Sequence, residues 1–148
     1  MLRLSKLTDY GIVVMTQLAG DPERLHAATE VAAATGIAAP TVSKLLKSLT
    51  RAGLVSSVRG ARGGYRLARS AEAVSVAELV DALEGPVALT ECSSGEGNCE
   101  QEPHCAVRVN FQRINDAIRG ALAQVTLAEM VAPPGSHYVN LSPRLRAS

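Results

Sequence analysis

The amino-acid sequence predicts a mainly α fold with a small β-hairpin wing, a winged helix-turn-helix followed by a long dimerisation helix. Three patterns predict this class. An amphipathic helix with a basic outer face is followed by a Gly-rich segment between two β-rich runs, and a heptad pattern continues through the second half of the chain. With 148 residues and a mean hydropathy of +0.11, the chain suits one globular domain or two small ones.

The near-neutral net charge of +1 conceals two halves of opposite sign. Residues 1–70 carry ten Lys and Arg against four acids, whereas residues 71–148 carry five against ten. Residues 31–71 contain seven basic residues and no acid. Such a field is the expected footprint of a polyanionic partner, although a solvated basic face has the same composition.

The basic segment contains a predicted pair of helices joined by a short turn. Residues 29–35 form an Ala-rich helix that Gly36 ends, and Pro40 is suited to the first turn of the next helix. The inward positions of this second helix follow the i, i+3, i+4, i+7 pattern and are Val42, Leu45, Leu46 and Leu49. The candidate contacts to double-stranded DNA are Pro40, Thr41, Ser43, Lys44 and Lys47. A helix of this kind can enter a major groove.

A hairpin is predicted directly after the second helix, with strands in residues 54–59 and 65–67 and a Gly-rich tip. In this position a hairpin is a wing, and Arg59 and Arg62 are its candidate contacts to phosphates or a minor groove. A nucleotide-binding loop is the alternative, but no P-loop Lys-Ser or Lys-Thr follows the glycines.

The rest of the chain predicts one further helix, a loop and a long helical seam. Ser75 and Glu78 form a capping-box pattern that opens a helix ending at Glu84. Apolar residues then repeat at heptad spacing and are Val107, Phe111, Ile114, Ile118, Ala121, Val125 and Ala128. We therefore expect four parts: a winged helix-turn-helix at 1–84, a cysteine loop at 85–105, a dimerisation helix at 106–131 and a flexible tail at 132–148.

Cys92, Cys99 and Cys105 are the only cysteines, and they lie in the predicted loop. No secretory signal or membrane span is visible, so we expect a cytoplasmic protein, where clustered thiols are more often metal ligands or redox groups than disulfides. Soft thiolates suit an iron–sulfur cluster, whereas the paired Cys-x-x-Cys spacing of structural zinc sites is absent. A redox dithiol and three unengaged thiols remain alternatives. The sequence offers no convincing catalytic set and no cofactor fingerprint, so we expect neither an enzyme nor a small-molecule substrate.

Several short motifs together resemble one family. They are LSKLTDY at 4–10, RAGLV at 51–55, VRGARGGY at 58–65, the three-cysteine loop, and VTLAE at 125–129. Over about residues 1–131 the chain resembles the IscR-type regulators of the BadM/Rrf group, winged-helix transcription factors that sense iron–sulfur clusters. Its opening MLRLSKLTDYG is most similar to the subgroup that regulates the SUF iron–sulfur assembly operon.

The resemblance implies that the three cysteines hold a two-iron or four-iron cluster and that a fourth, weaker ligand completes it. In IscR this ligand is a histidine three residues after the last cysteine, a position that Arg108 occupies here. In the NsrR branch it is an aspartate of the partner's first helix, and Asp9 stands at the matching position. His104 is a competitor, although its adjacency to Cys105 makes ligation of the same iron awkward. Asp9 could instead simply stabilise a helix N-terminus.

The function expected from the resemblance is that of a homodimeric DNA-binding regulator that represses SUF genes when clusters are plentiful. A nitric oxide sensor of the NsrR type shares the same motifs, and the SUF-like opening favours the first reading. A winged-helix DNA binder with thiol-based redox sensing is the further alternative.

Overall fold

The computed structural model describes residues 2–95 and 97–132 and is mainly helical with one two-stranded sheet, which confirms the predicted fold class. In chain order the elements are α1 (Lys6–Ala19), α2 (Ala28–Thr35), α3 (Ala39–Arg51), β1 (Val55–Val58), β2 (Gly64–Leu67), α4 (Val76–Glu84), α5 (Glu91–Ser94), α6 (Arg108–Gln124) and α7 (Leu127–Val131). Short 3-10 turns lie at Ala71–Ala73 and Glu102–His104. The predicted tail falls outside the described residues except for Ala132.

One apolar core joins α1, α2, α3, α4, α7 and the base of the hairpin. Its largest fully buried side chains are Met15, Leu18, Leu45, Leu46, Leu49, Leu79 and Leu127. Each such burial stabilises the fold by roughly 1.5–3 kcal/mol before conformational entropy is counted. The core therefore fixes the helices that carry the basic surface.

The helix-turn-helix forms as the sequence predicts. Gly36 ends α2 in the left-handed conformation, at φ 71°, and Pro40 lies in the first turn of α3. All four inward positions predicted for α3 are buried. Because these positions fix the rotation of α3, its polar side faces outward.

The hairpin pairs β1 with β2 antiparallel, so that Val55 lies opposite Leu67 and Val58 opposite Gly64. Val55 and Leu67 are buried, which seats the base of the hairpin on the core. At Gly64 a Cβ would lie only 2.7 Å from the His26 carbonyl oxygen. Glycine is therefore needed where the hairpin meets the segment before α2.

The second half of the chain is anchored through α4 and α6. The capping box predicted at Ser75 and Glu78 is present, which confirms the start of α4. Arg119 of α6 forms an ion pair with Asp81 of α4 at 3.2 Å. The buried Asn115 side chain accepts the Leu89 backbone N–H at 3.1 Å, which ties α6 to the chain after α4.

The predicted continuous helix at 106–131 is wrong, because α6 ends at Gln124 and α7 is a separate helix. Val125 is extended, and Thr126 opens α7 with a capping box to Glu129. Backbone bonds from Val76 N–H to Val125 O, at 2.9 Å, and from Leu127 N–H to Val74 O, at 2.8 Å, hold the break against the start of α4. Leu127, which follows the break, is thereby buried in the core.

The N-terminal part of the predicted seam is accessible. The side chains of Val107, Phe111 and Ile114 are exposed, whereas Ile118, Ala121 and Val125 are partly buried in the same chain.

Among the described residues, no helix is long and apolar enough to cross a membrane.

Candidate DNA-binding surface and cysteine loop

The predicted DNA contacts lie on two adjacent elements. On α3, Pro40, Lys44 and Lys47 are exposed, and Thr41 and Ser43 are partly exposed. Arg59 and Arg62 are exposed at the tip of the hairpin. All seven predicted side chains on α3 and on the hairpin are thus exposed or partly exposed to solvent.

The three cysteines lie on the loop between α4 and α6, and each is a free, partly exposed thiol. Cys92 lies in α5, and its sulfur is 3.1 Å from the Thr90 hydroxyl oxygen. Cys99 and Cys105 flank the second 3-10 turn, where the Cys99 carbonyl accepts the Glu102 N–H at 3.1 Å. The described residues contain no group of three or more His, Cys, Asp or Glu side chains drawn together as a metal site.

Glu102 organises this loop, although sequence reasoning did not single it out. Its side chain is only 9% exposed and pairs with Arg108 at the start of α6 at 2.6 Å. Its second carboxylate oxygen accepts the Gly97 N–H at 2.7 Å. Glu102 therefore closes the segment that contains Cys99 and Cys105, and Arg108 has a structural partner here.

A groove of about 740 Å³ runs between the cysteine loop and α6. Its lining includes Cys92 and three arginines, Arg108, Arg113 and Arg119. Thiolates clustered on a metal carry negative charge, and neighbouring guanidinium groups favour that charge. Cys92 is the one cysteine in this lining, and Arg108 and Arg119 already pair with Glu102 and Asp81. The free Cys92 thiol and Arg113 are therefore the groups of the groove that suit an anionic thiolate-bound group.

Among the described residues, neither candidate fourth ligand, Asp9 or His104, forms part of a metal-binding group of three or more side chains with the cysteines. Asp9 is exposed in the first turn of α1, and His104 is exposed at the end of the second 3-10 turn. The exposure of Asp9 leaves its carboxylate accessible to another molecule.

A carboxylate fixes the start of α1 to the end of α4. Glu84 accepts the Thr8 hydroxyl at 2.5 Å and the Ser5 backbone N–H at 2.6 Å. The hydrogen bond from Thr8, followed by those from Ser5, lowers the pKa of Glu84 below its ordinary value. The helix that carries Asp9 is in this way tied to the residue that precedes the cysteine loop.

Comparison with known proteins places this arrangement in a family. Residues 4–133 match the model of Rrf2, described as an iron-dependent transcriptional regulator. The chain belongs to the Rrf2 family. The Rrf2 assignment confirms the BadM/Rrf resemblance, and the members of this family and the structural neighbours are transcriptional regulators.

Relatives of this Rrf2 chain include a curated protein and several solved structures. Protein aau3 of Rhizobium meliloti (strain 1021) is 33% identical over 131 residues, which are 88% of this chain and 85% of that protein. CymR (YrzC), the global cysteine regulator of B. subtilis, is 29% identical with a TM-score of 0.70 and covers 88% of this chain and 97% of its own. IscR of T. potens is 27% identical with a TM-score of 0.68, covering 90% and 94%. Because both an IscR and a CymR occur among the structural neighbours, the likeness does not single out the IscR subgroup.

Proposed function

We propose that the protein is a homodimeric, sequence-specific DNA-binding regulator that senses iron–sulfur cluster status and represses SUF genes. The observation that supports this proposal most strongly is the placement of the three free thiols. They lie on one loop between α4, the last helix of the proposed DNA-binding domain, and α6, whose N-terminal apolar residues are exposed. A change in the conformation of this loop can therefore alter both the position of the DNA-contacting helix α3 and the proposed dimer contact of α6.

In the proposed DNA complex, α3 enters the major groove with Pro40, Thr41, Ser43, Lys44 and Lys47 toward DNA. A second copy would place its own α3 in a successive groove, as two-fold regulators do. Arg59 and Arg62 of each wing would hold the flanking backbone or minor groove. The exposure of these seven residues supports the assignment.

In the proposed sensor, Cys92, Cys99 and Cys105 hold the cluster, with Asp9 of the partner subunit as the fourth ligand. The cluster, when bound, supplies a redox-sensitive and iron-dependent crosslink of the loop. Glu102 and Arg108 restrain the loop between Cys99 and Cys105. Arg113, which lines the groove beside Cys92, would face the charge of the bound group.

Metal and sulfide analysis of protein purified without oxygen tests the cofactor assignment. We expect a coloured protein with iron and sulfide in near-stoichiometric amounts, and loss of both in a variant with all three cysteines replaced by Ala. Asp9→Ala should destabilise the cluster, whereas His104→Ala, a matched control beside Cys105, should leave it intact. A colourless protein without iron after anaerobic reconstitution would contradict the assignment.

Thiol-based sensing is a second candidate, because a specific observation favours it. All three thiols are free and partly exposed without being drawn together as a metal site in the described chain, and CymR is among the solved structures. This function predicts that oxidant treatment of iron-free protein changes its DNA affinity through the cysteines. Equal DNA affinity of oxidised and reduced iron-free protein would exclude it.

A further inference from the structure

A small cleft lies between the C-terminal half of α3 and the hairpin. Its volume is about 330 Å³, and it is lined by Lys47, Thr50, Arg51, Ser57 and Tyr65. We call these five residues the helix–wing cleft. Only Lys47 belongs to the DNA contacts proposed above, so the other four residues need a separate account.

The strand register explains why hydroxyl groups face this cleft. Ser57 lies directly opposite Tyr65 in the sheet, two positions from the Val55–Leu67 pair. Because side chains alternate between the faces of a sheet, both pairs share one face. Val55 and Leu67 on this face are buried in the core. The next pair on this face toward the tip, Ser57 and Tyr65, is polar and borders α3.

The charge of the helix–wing cleft is unbalanced. Its lining contains two cations and three hydroxyl-bearing side chains, without an acid. The ion pairs found in the described part of the chain leave Lys47 and Arg51 without a carboxylate partner. An anion with several acceptor oxygens is therefore the ligand whose chemistry suits the cleft.

The wall of the cleft is held rigidly from behind. Tyr65 exchanges two backbone hydrogen bonds with His26, both at 2.8 Å. His26 is itself buried, and its Nε2 lies 3.0 Å from the Asp21 carbonyl oxygen. This bridge depends on Gly64, whose missing Cβ leaves room for the His26 backbone. The backbone of Tyr65 is thus fixed before any ligand binds, so less backbone entropy is lost on binding.

We propose that the helix–wing cleft binds one backbone phosphate of double-stranded DNA, with Arg51, Ser57 and Tyr65 joining Lys47 as its donors. The inference rests on the DNA binding proposed above and extends it to residues on the inner side of the wing. In helix-turn-helix proteins the N-terminal residues of the second helix reach base edges. A site at the other end of α3 is therefore suited to positioning the duplex rather than reading its sequence.

Fluorescence anisotropy with a labelled mixed-sequence duplex, titrated between about 50 and 200 mM salt, tests this site. Arg51→Gln should weaken binding about tenfold, since a charge-assisted contact to phosphate is lost. The slope of log affinity against log salt should become shallower by about 0.9 for each cleft. Tyr65→Phe, which removes only a hydroxyl, should weaken binding less and leave the slope unchanged.

Arg66→Gln is the matched control. It removes the same charge from the residue next to Tyr65, but Arg66 pairs with Ser56 on the opposite face of the hairpin. We expect a smaller loss of affinity than for Arg51→Gln. Equal losses in the two arginine variants, with Tyr65→Phe indistinguishable from the parent, would overturn the phosphate site while leaving DNA binding intact. Absence of DNA binding by the parent protein would instead reject the proposed function.

Discussion

The proposed DNA-binding region, residues 1–84, and the cysteine loop, residues 85–105, are stabilised in different ways. In the described chain, every buried apolar side chain except Leu127 lies between Ile12 and Val80. No described residue of the cysteine loop is buried to the same degree. The loop is held by polar contacts at Glu102 and Asn115 and by the partly buried Val87, which packs against the edge of the core. A region that presents a fixed surface to DNA needs a packed core, whereas a region that gains and loses a ligand needs contacts that can rearrange.

The largest expected contrast between the two regions is in global stability. Leu46 is fully buried on the inner face of α3, so Leu46→Ala should lower the free energy of unfolding by about 2–5 kcal/mol. Cys99→Ala in the iron-free protein should change the free energy of unfolding by less than about 0.5 kcal/mol, because the Cys99 side chain is partly exposed and forms no disulfide. Urea unfolding followed by circular dichroism measures both values. Similar losses in the two variants would remove the distinction.

A smaller effect is expected at the break between α6 and α7. Thr126→Ala removes the hydroxyl that accepts the Glu129 N–H at 3.2 Å and should cost about 0.5–2 kcal/mol. Thr126→Ser retains a capping hydroxyl and serves as the control. The same unfolding measurement applies, and a Thr126→Ala variant as stable as the parent would show that the cap at Thr126 adds little to the stability of the fold.

Glu102→Gln should affect the cysteine loop without unfolding the protein. The neutral amide loses the ion pair with Arg108, and the Gly97 N–H loses a charged acceptor. We expect faster hydrogen exchange at Gly97 with little change for the buried amides of α3. Glu100→Gln, an exposed acid of the same loop, is the control, and equal exchange at Gly97 in all three proteins would deny Glu102 its role.

The smallest expected effect is a pH dependence at Glu84. The pKa of Glu84 is lowered in the folded protein, chiefly by the hydrogen bond from the Thr8 hydroxyl. The ionised carboxylate therefore stabilises the fold above the ordinary carboxyl pKa of 4.5, and this stabilisation is lost as the pH falls through the lowered pKa. Glu84→Gln should therefore be less stable than the parent near neutral pH, and the difference should shrink in acid. Unfolding measured from neutral to acidic pH checks this, and a difference that stays constant with pH would contradict it.

The features predicted correctly from the sequence are those that depend on residues close together along the chain. The inner face of α3, the stop at Gly36 and the capping box at Ser75 each follow from spacing within one helix. The break at Val125 was missed because heptad spacing continues through it, while the local signal, Thr126 followed by Glu129, competes with that periodicity. A capping-box search across the seam would have found it.

The polar contacts of the cysteine loop were not predictable from spacing alone. Glu102 is one acid among several in its segment, and its burial depends on how the loop folds back on Arg108. Asn115 lies in α6 among exposed residues, and its role arises from Leu89, which is 26 positions away. Contacts of this kind depend on tertiary structure, which leaves no periodic signal in the sequence.

The most direct test of the central claim compares DNA binding with and without the cluster. Anaerobically reconstituted protein, iron-free protein and the variant with all three cysteines replaced by Ala would each be titrated with the promoter of SUF genes by fluorescence anisotropy. The account predicts that reconstituted and iron-free protein differ in affinity and that the cysteine variant keeps the iron-free affinity after the same reconstitution treatment. Equal affinity in all three samples would show that the cysteine loop does not control the DNA-binding surface, and would contradict the account.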